Sequence, residues 1–242
     1  MVLSIVATPI GNLKDITLRA KEVLENATLI LAEDTRSIKK LLTLLEIPLG
    51  GKHYLSSHAQ STPGALQKAL EACTGHETIA LVTDAGTPAI SDPGSLFVQE
   101  FRRAYSEATV VPIPGVSAVV AALCVSGFPG NHFEFIGFVP HKKGRQTLFS
   151  TIAQTEHTVA MYESPHRILK TLEALASVLG DRLVMVGREM TKSFEEYPIG
   201  TAQELLDYYL DNAEKVRGEF VIVVSPSYNT PYHSSSSSDT IE

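Results

Sequence analysis

Cysteine is nearly absent from this chain of 242 residues: Cys73 and Cys124 are its two, far apart and outside any CxxC pair. That excludes a disulfide framework and a cysteine-based zinc site, and fits a reducing, cytoplasmic setting. A surplus of positive charge is also missing. Twenty Lys plus Arg stand against 27 Asp plus Glu, a net charge of −7, so any contact with nucleic acid must use a local patch. Long apolar runs are lacking too. The charge-free stretch 108–133 is broken by Pro112, Pro114, Gly115, Gly127, Pro129 and Gly130, which excludes a spanning helix of about 20 residues, so no membrane partner is expected. The opening Met1 to Ala7 has no basic leader region, and export is not expected. Neither GxGxxG after the first apolar run, nor GxxxxGK[ST], HExxH or an EF-hand loop occurs, which argues against a standard dinucleotide site, a P-loop and a zincin and leaves no metal site expected. Gly115-Val116-Ser117-Ala118-Val119 lacks the last Gly of a hydrolase nucleophile elbow.

What is present is ordinary in amount, with 44% hydrophobic and 19% charged residues, so the chain is a folded α/β candidate rather than a disordered or coiled one. Short apolar runs (Leu3 to Ala7, Thr28 to Ala32, Thr78 to Thr83, Thr109 to Pro112) alternate with helical patterns from about Thr17, after Asp34, and from Gly94 to Tyr105. After a helix expected over Val116 to Val125, the grammar changes. Strands are predicted at Phe133 to Phe138, Thr158 to Tyr162, Leu183 to Arg188, Phe194 to Ile199 and Phe220 to Val224, with helices starting near Gly144, Pro165 and Thr201. A mixed sheet follows from that spacing. The reading is two α/β lobes, 1–113 and 114–225, with a ligand crevice between them and a Ser-rich disordered tail over 226–242.

Three Gly and Pro loops sit directly after predicted strands: Thr8-Pro9-Ile10-Gly11-Asn12, Asp84-Ala85-Gly86-Thr87-Pro88 and Pro114-Gly115-Val116-Ser117-Ala118. Carboxyl ends of strands are where an open α/β sheet binds ligands, and Gly lets a ligand approach the backbone. One such loop is an ordinary turn; three at one sheet edge point to a site. Glu33-Asp34-Thr35-Arg36 and Tyr162-Glu163-Ser164-Pro165-His166-Arg167 each end a strand and open a helix, where capping accounts for Asp34 or Ser164 but not for the whole cluster. His141-Lys142-Lys143-Gly144-Arg145 is a local basic run suited to phosphate, although a solvated charge run is the ordinary alternative.

In order along the chain, ATPIGNL (7–13), AEDTR (32–36), DAGTP (84–88) continuing to SDPG (91–94), PGVSA (114–118), YESPHR (162–167) and Arg188-Glu189 resemble the tetrapyrrole methylase superfamily over about residues 2–225, in particular its branch acting on small-subunit ribosomal RNA. The resemblance implies a two-lobed homodimer of class III methyltransferase fold, S-adenosylmethionine in the crevice, and methyl transfer to the ribose 2′-oxygen of a cytidine in the decoding region of 16S rRNA, within the 30S subunit. Carried over by motif, the cofactor meets Pro9, Ile10, Asp84, Gly86, Thr87, Ser117, Ala118, Met161, Tyr162 and the stretch before Phe220. A ribose hydroxyl needs its proton taken, so a carboxylate within reach is expected: Glu163 or Glu33, with Arg36 and Arg167 holding phosphate or ribose. Lys142, Lys143, Arg145 and His58 are the RNA-binding candidates. His58-Ala59-Gln60-Ser61 departs from the family's His-Glu-His-Asn, and the Ser-rich tail stands where fuller members carry a basic extension. Two other readings stay open: the same fold with a tetrapyrrole or another RNA as acceptor, and a non-catalytic RNA-binding or ribosome-assembly factor.

Overall fold

The computed structural model describes residues 1–56, 63–92 and 94–227; His58 and the tail from 228 lie outside them. The first sheet contains β1 (Val2–Val6), β2 (Leu29–Ala32), β3 (His53–Ser56), β4 (Thr78–Val82) and β5 (Thr109–Ile113), all parallel, in the order β3-β2-β4-β1-β5. Parallel strands covered on both faces need unbroken apolar runs, and Leu29–Ala32 is buried at every position. Helices α1 (Leu18–Asn26) and α2 (Thr35–Leu44) pack one face through Leu24, Ile38 and Leu42. On the other face α3 (Pro63–Cys73) and α4 (Gly94–Ala104) contribute Leu70, Phe97 and Phe101. Thr17 caps α1 by accepting from the Ala20 amide at 3.1 Å, and Asp34 caps α2 through the Arg36 amide at 2.8 Å.

β3 and α3 have no counterpart in the sequence reading. β3 is a four-residue edge strand with no buried position, and α3 opens on Pro63-Gly64, which reads as a turn.

The second lobe holds α5 (Ala118–Ser126), β6 (Phe133–Phe138), α6 (Arg145–Gln154), β7 (Thr158–Glu163), α7 (Ile168–Leu179), β8 (Leu183–Arg188), β9 (Ile199–Thr201), α8 (Ala202–Asp211) and β10 (Phe220–Val224). Its sheet runs β6-β7-β10-β8-β9, mixed as expected, with β6 and β7 parallel and the other pairs antiparallel. The strand predicted over Phe194 to Ile199 is a correction: of that stretch Glu196 makes a single bridge to Arg188, and the paired strand is Ile199–Thr201. Pro198, which has no amide to donate, interrupts the ladder. The helix expected from Pro165 begins at Ile168, after a turn in which the amides of Arg167 and Ile168 both donate to the Ser164 carbonyl at 3.0 Å.

One face of this sheet packs on α6, α7 and α8 through Phe149, Leu172, Leu175 and Tyr209. The opposite face takes α5 and, from the first lobe, Ile10. The lobes also touch where the Asn12 amide donates to Thr191 Oγ1 at 3.1 Å and where a Cβ on Gly11 would strike Lys192.

Candidate functional site

The carboxyl ends of β1, β2, β4 and β5 face the ends of β7 and β10 across a cavity of about 440 Å3. Its first-lobe wall is made of loops locked to one another. Thr8 and Gly86 exchange both backbone hydrogen bonds, at 2.9 and 3.0 Å, and Thr87 Oγ1 donates to the Val116 carbonyl at 3.0 Å. Gly86 sits at φ +83°, a left-handed conformation that a side chain resists. A Cβ on Gly115 would lie 2.9 Å from that of Ala7, so this loop can close only as glycine.

Of the residues assigned to the cofactor, Ile10, Asp84, Gly86, Thr87, Ser117, Ala118 and Tyr162 line the cavity, as do Gly218 and Glu219 before Phe220. Two do not. Met161 is fully buried in the core of α6 and α7, because alternation along β7 points it away from the face that Tyr162 occupies. Pro9 is replaced at the wall by Ile10, its neighbour. Sequence reasoning missed Ile90, Ser91 and Phe138, all of which line the cavity. A glycine inside a strand, Gly137, was the available sign of an irregularity beside Phe138.

Acidic groups gather on one side. Glu33 lines the cavity with Oε2 accepting from Thr83 Oγ1 at 2.7 Å and from the Asp84 amide at 3.4 Å; among the described residues no donor reaches Oε1. Asp84 Oδ1 accepts from the Asp34 amide at 3.1 Å. Partial burial, then the neighbouring Glu33 and Asp34 carboxylates, raise the Asp84 carboxyl above its ordinary value. Arg36 is 91% exposed and forks onto Asp34 with contacts of 2.6 to 3.1 Å, which raises its pKa further; it stands on the surface beside the site rather than in its wall.

Glu163 stands in a different setting from Glu33. It borders the cavity, but its side chain is 0% exposed and both oxygens are taken: Oε1 by the Ser164 amide and Arg167 Nη2, each at 2.7 Å, and Oε2 by Thr171 Oγ1 at 2.6 Å, with Arg145 at 3.9 Å. A carboxylate so engaged anchors its surroundings, with Oε1 accepting twice and Oε2 held by the Thr171 hydroxyl. Arg167 is engaged with it: Nε donates to Ser164 Oγ at 3.2 Å, Nη1 to the Val139 carbonyl at 2.7 Å and Nη2 to Glu163. Arg145 also turns inward, donating to Thr171 Oγ1 at 2.9 Å and packing over Phe149. Lys142 and Lys143 are exposed, as an RNA-facing role requires.

The sequence pattern of the Tetrapyrrole (Corrin/Porphyrin) Methylases matches residues 2–206. A protein of Synechocystis named ribosomal RNA small subunit methyltransferase I is 44% identical over 228 residues, 93% of this chain and 78% of its own. The chain belongs to the tetrapyrrole methylase family. A Thermotoga maritima protein of the same name is 40% identical over 92% of this chain and 97% of its own. Two solved tetrapyrrole methylase folds superpose at lower identity: diphthine synthase, with a TM-score of 0.72 at 14% identity over 93% of this chain and 90% of that one, and uroporphyrin-III C-methyltransferase from Thermus thermophilus in complex with S-adenosyl homocysteine, 0.61 at 20% over 93% and 96%. The cavity has the size of a small-cofactor site, its floor is glycine backbone and apolar Ile10 and Ala118, and its acidic side suits a cation, so the residues present fit S-adenosylmethionine.

Proposed function

We propose that this chain transfers a methyl group from S-adenosylmethionine to the ribose 2′-oxygen of a cytidine in the decoding region of 16S rRNA, on the 30S subunit. The observation that carries the reading is the Glu33 carboxylate, held at the cavity wall by Thr83 and Asp84 with Oε1 unengaged among the described residues, in a chain whose relatives are named as small-subunit rRNA methyltransferases. S-adenosylmethionine, when bound, supplies an electrophilic methyl on a positive sulfur. Asp84 and its acidic neighbours favour that charge, while Ile10, Ala118 and Val221 keep water from the reacting face. In-line displacement demands alignment above all, and the Thr8–Gly86 and Thr87–Val116 bonds hold the loops that provide it. Glu33 receives the hydroxyl proton through Oε1 as the oxygen attacks. Lys142 and Lys143 hold RNA phosphates from the loop after Phe138.

Homodimerisation has its own support. Helix α5 is apolar all round, which is usual for a helix enclosed on every side, yet Val120 and Val125 remain about half exposed beside Cys124. A second copy covers that face. Both cysteines are free, in keeping with a cytoplasmic location.

The test is transfer of labelled methyl to 30S subunits lacking the modification, followed by mapping of the labelled nucleotide. Glu33→Gln should lower kcat by about 10²- to 10⁴-fold while S-adenosylmethionine binds as before. Label on a porphyrin precursor but not RNA, or binding without transfer to either, refutes the reading.

A further inference from the structure

Phe138 is an aromatic ring in an unusual place. It lines the cavity yet is 57% exposed, at the solvent edge between the lobes. Strand alternation alone would not put it there. Phe135 and Phe138 are three residues apart, so a regular strand would send them to opposite faces. Both nevertheless meet Tyr162, at 4.9 and 5.5 Å between ring centroids and each at 65°, edge to face. The cause is a bulge: Phe135 pairs with Ala160 but Phe138 with Tyr162, one extra residue having been taken up on β6, and Gly137 lies at φ +66°. Bulges beside active sites re-aim a side chain, and this one turns an apolar ring toward the cavity mouth and water.

The ring is also held in place. The residue after it, Val139, is buried and gives its carbonyl to Arg167, and Arg145 donates to the next carbonyl, that of Pro140, at 3.4 Å. Both guanidiniums are fastened on Glu163 and its neighbour Thr171. The buried Glu163 network therefore fixes where Phe138 stands. Beyond it the chain passes directly to exposed Lys142 and Lys143, and Gly137 approaches Ser91 of the other lobe, where Ile90 is also half exposed at the mouth.

We infer that Phe138 is a stacking platform for the nucleobase of the acceptor nucleotide, positioning its ribose over the cavity while Lys142 and Lys143 hold the flanking phosphates. The inference rests on the RNA-methylation reading above. An aromatic face accepts any base by stacking, which is the contact an unpaired nucleotide offers.

The experiment measures kcat and KM for methyl transfer to unmodified 30S subunits by wild type and by Phe138→Ala, Phe138→Leu, Phe138→Tyr and Phe138→Trp. S-adenosylmethionine affinity is followed by calorimetry and oligomeric state by sedimentation. Stacking predicts that Ala and Leu both lower kcat/KM for 30S about 5- to 150-fold, that Tyr and Trp restore it, and that cofactor affinity and sedimentation stay constant. Leu is the telling variant, because it keeps apolar bulk and loses the π face. Full activity in Phe138→Leu overturns the inference, as does a loss of activity matched by weaker S-adenosylmethionine binding or by a changed sedimentation coefficient. A wild type that binds the cofactor but does not methylate 30S overturns the underlying reading, and this inference with it.

Discussion

At the scale of single residues, the site contains two carboxylates that look alike in sequence and differ in what surrounds them. Glu163 is enclosed by an amide, a hydroxyl and two guanidiniums; among the described residues Glu33 is tethered through Oε2 alone. Removing the charge of Glu163 takes the counter-ion from Arg167, which is partly buried and 2.7 Å away, and from the more distant Arg145, a change whose fully buried form costs about 3 to 5 kcal/mol. Glu163→Gln should therefore show a large fall in unfolding midpoint by calorimetry; an unchanged midpoint would return Glu163 to the list of possible bases. Asp84 behaves in the opposite way. Its folded-state pKa is raised, so its contribution to stability is fully favourable below the ordinary Asp value and is lost as pH rises through the raised one. At pH 7 the ionised group thus opposes folding. Asp84→Asn, which keeps an oxygen for the Asp34 amide, should melt higher than wild type at pH 7, with the difference closing as pH falls to about 4, the ordinary Asp value, while S-adenosylmethionine binds less tightly at neutral pH. Thermal melts at the two pH values check the first part, and a variant that is less stable at pH 7 contradicts it.

At the scale of elements, the site is built by loops that leave parallel strands and are then tied to each other. The order β3-β2-β4-β1-β5 brings the ends of β1, β4 and β5 side by side although their loops are separated by long stretches of sequence. Gly86 is the joint, with a left-handed φ and both backbone groups bonded to Thr8. An L-residue in that conformation costs about 1 to 2 kcal/mol. Gly86→Ala should lower stability by about that amount in urea unfolding and weaken cofactor binding more than the loss of stability alone would. The fold itself was largely legible. Alternating apolar and amphipathic runs located most strands and helices, and Gly-Pro loops after strands located the first-lobe wall. Short β3 escaped because an edge strand needs little apolar content, and the Phe194 to Ile199 region misled because Tyr197-Pro198 is apolar enough for a strand but cannot continue a ladder.

At the scale of the whole molecule, two lobes share one cavity and an apolar helix is left facing outward. Val125→Asp places a charge on the α5 face that a second copy would cover. On the dimer proposal, sedimentation should report a dimer for the unaltered chain and a monomer for the variant; a dimer that survives, or a wild-type monomer, would remove α5 as the interface. The net charge of −7 belongs to this scale as well: the proposed RNA contact needs a local arrangement, for which the exposed pair Lys142 and Lys143 is the candidate.

The sequence by itself determined most of the elements, the strand-end loops and the family, because hydrophobic periodicity and short Gly, Pro and acidic motifs act locally and survive without their partners. Only the tertiary structure decided which groups are free to act. Arg145 and Arg167 read as outward cations, yet their partners Thr171 and Val139 lie 26 and 28 residues away and are brought to them by the crossovers of the second lobe. Phe138 reads only as the end of a strand, and the irregularity beside Gly137 turns it to the mouth. A charge or ring becomes structural or functional according to whether a distant part of the chain satisfies it, and that is settled when the sheets close.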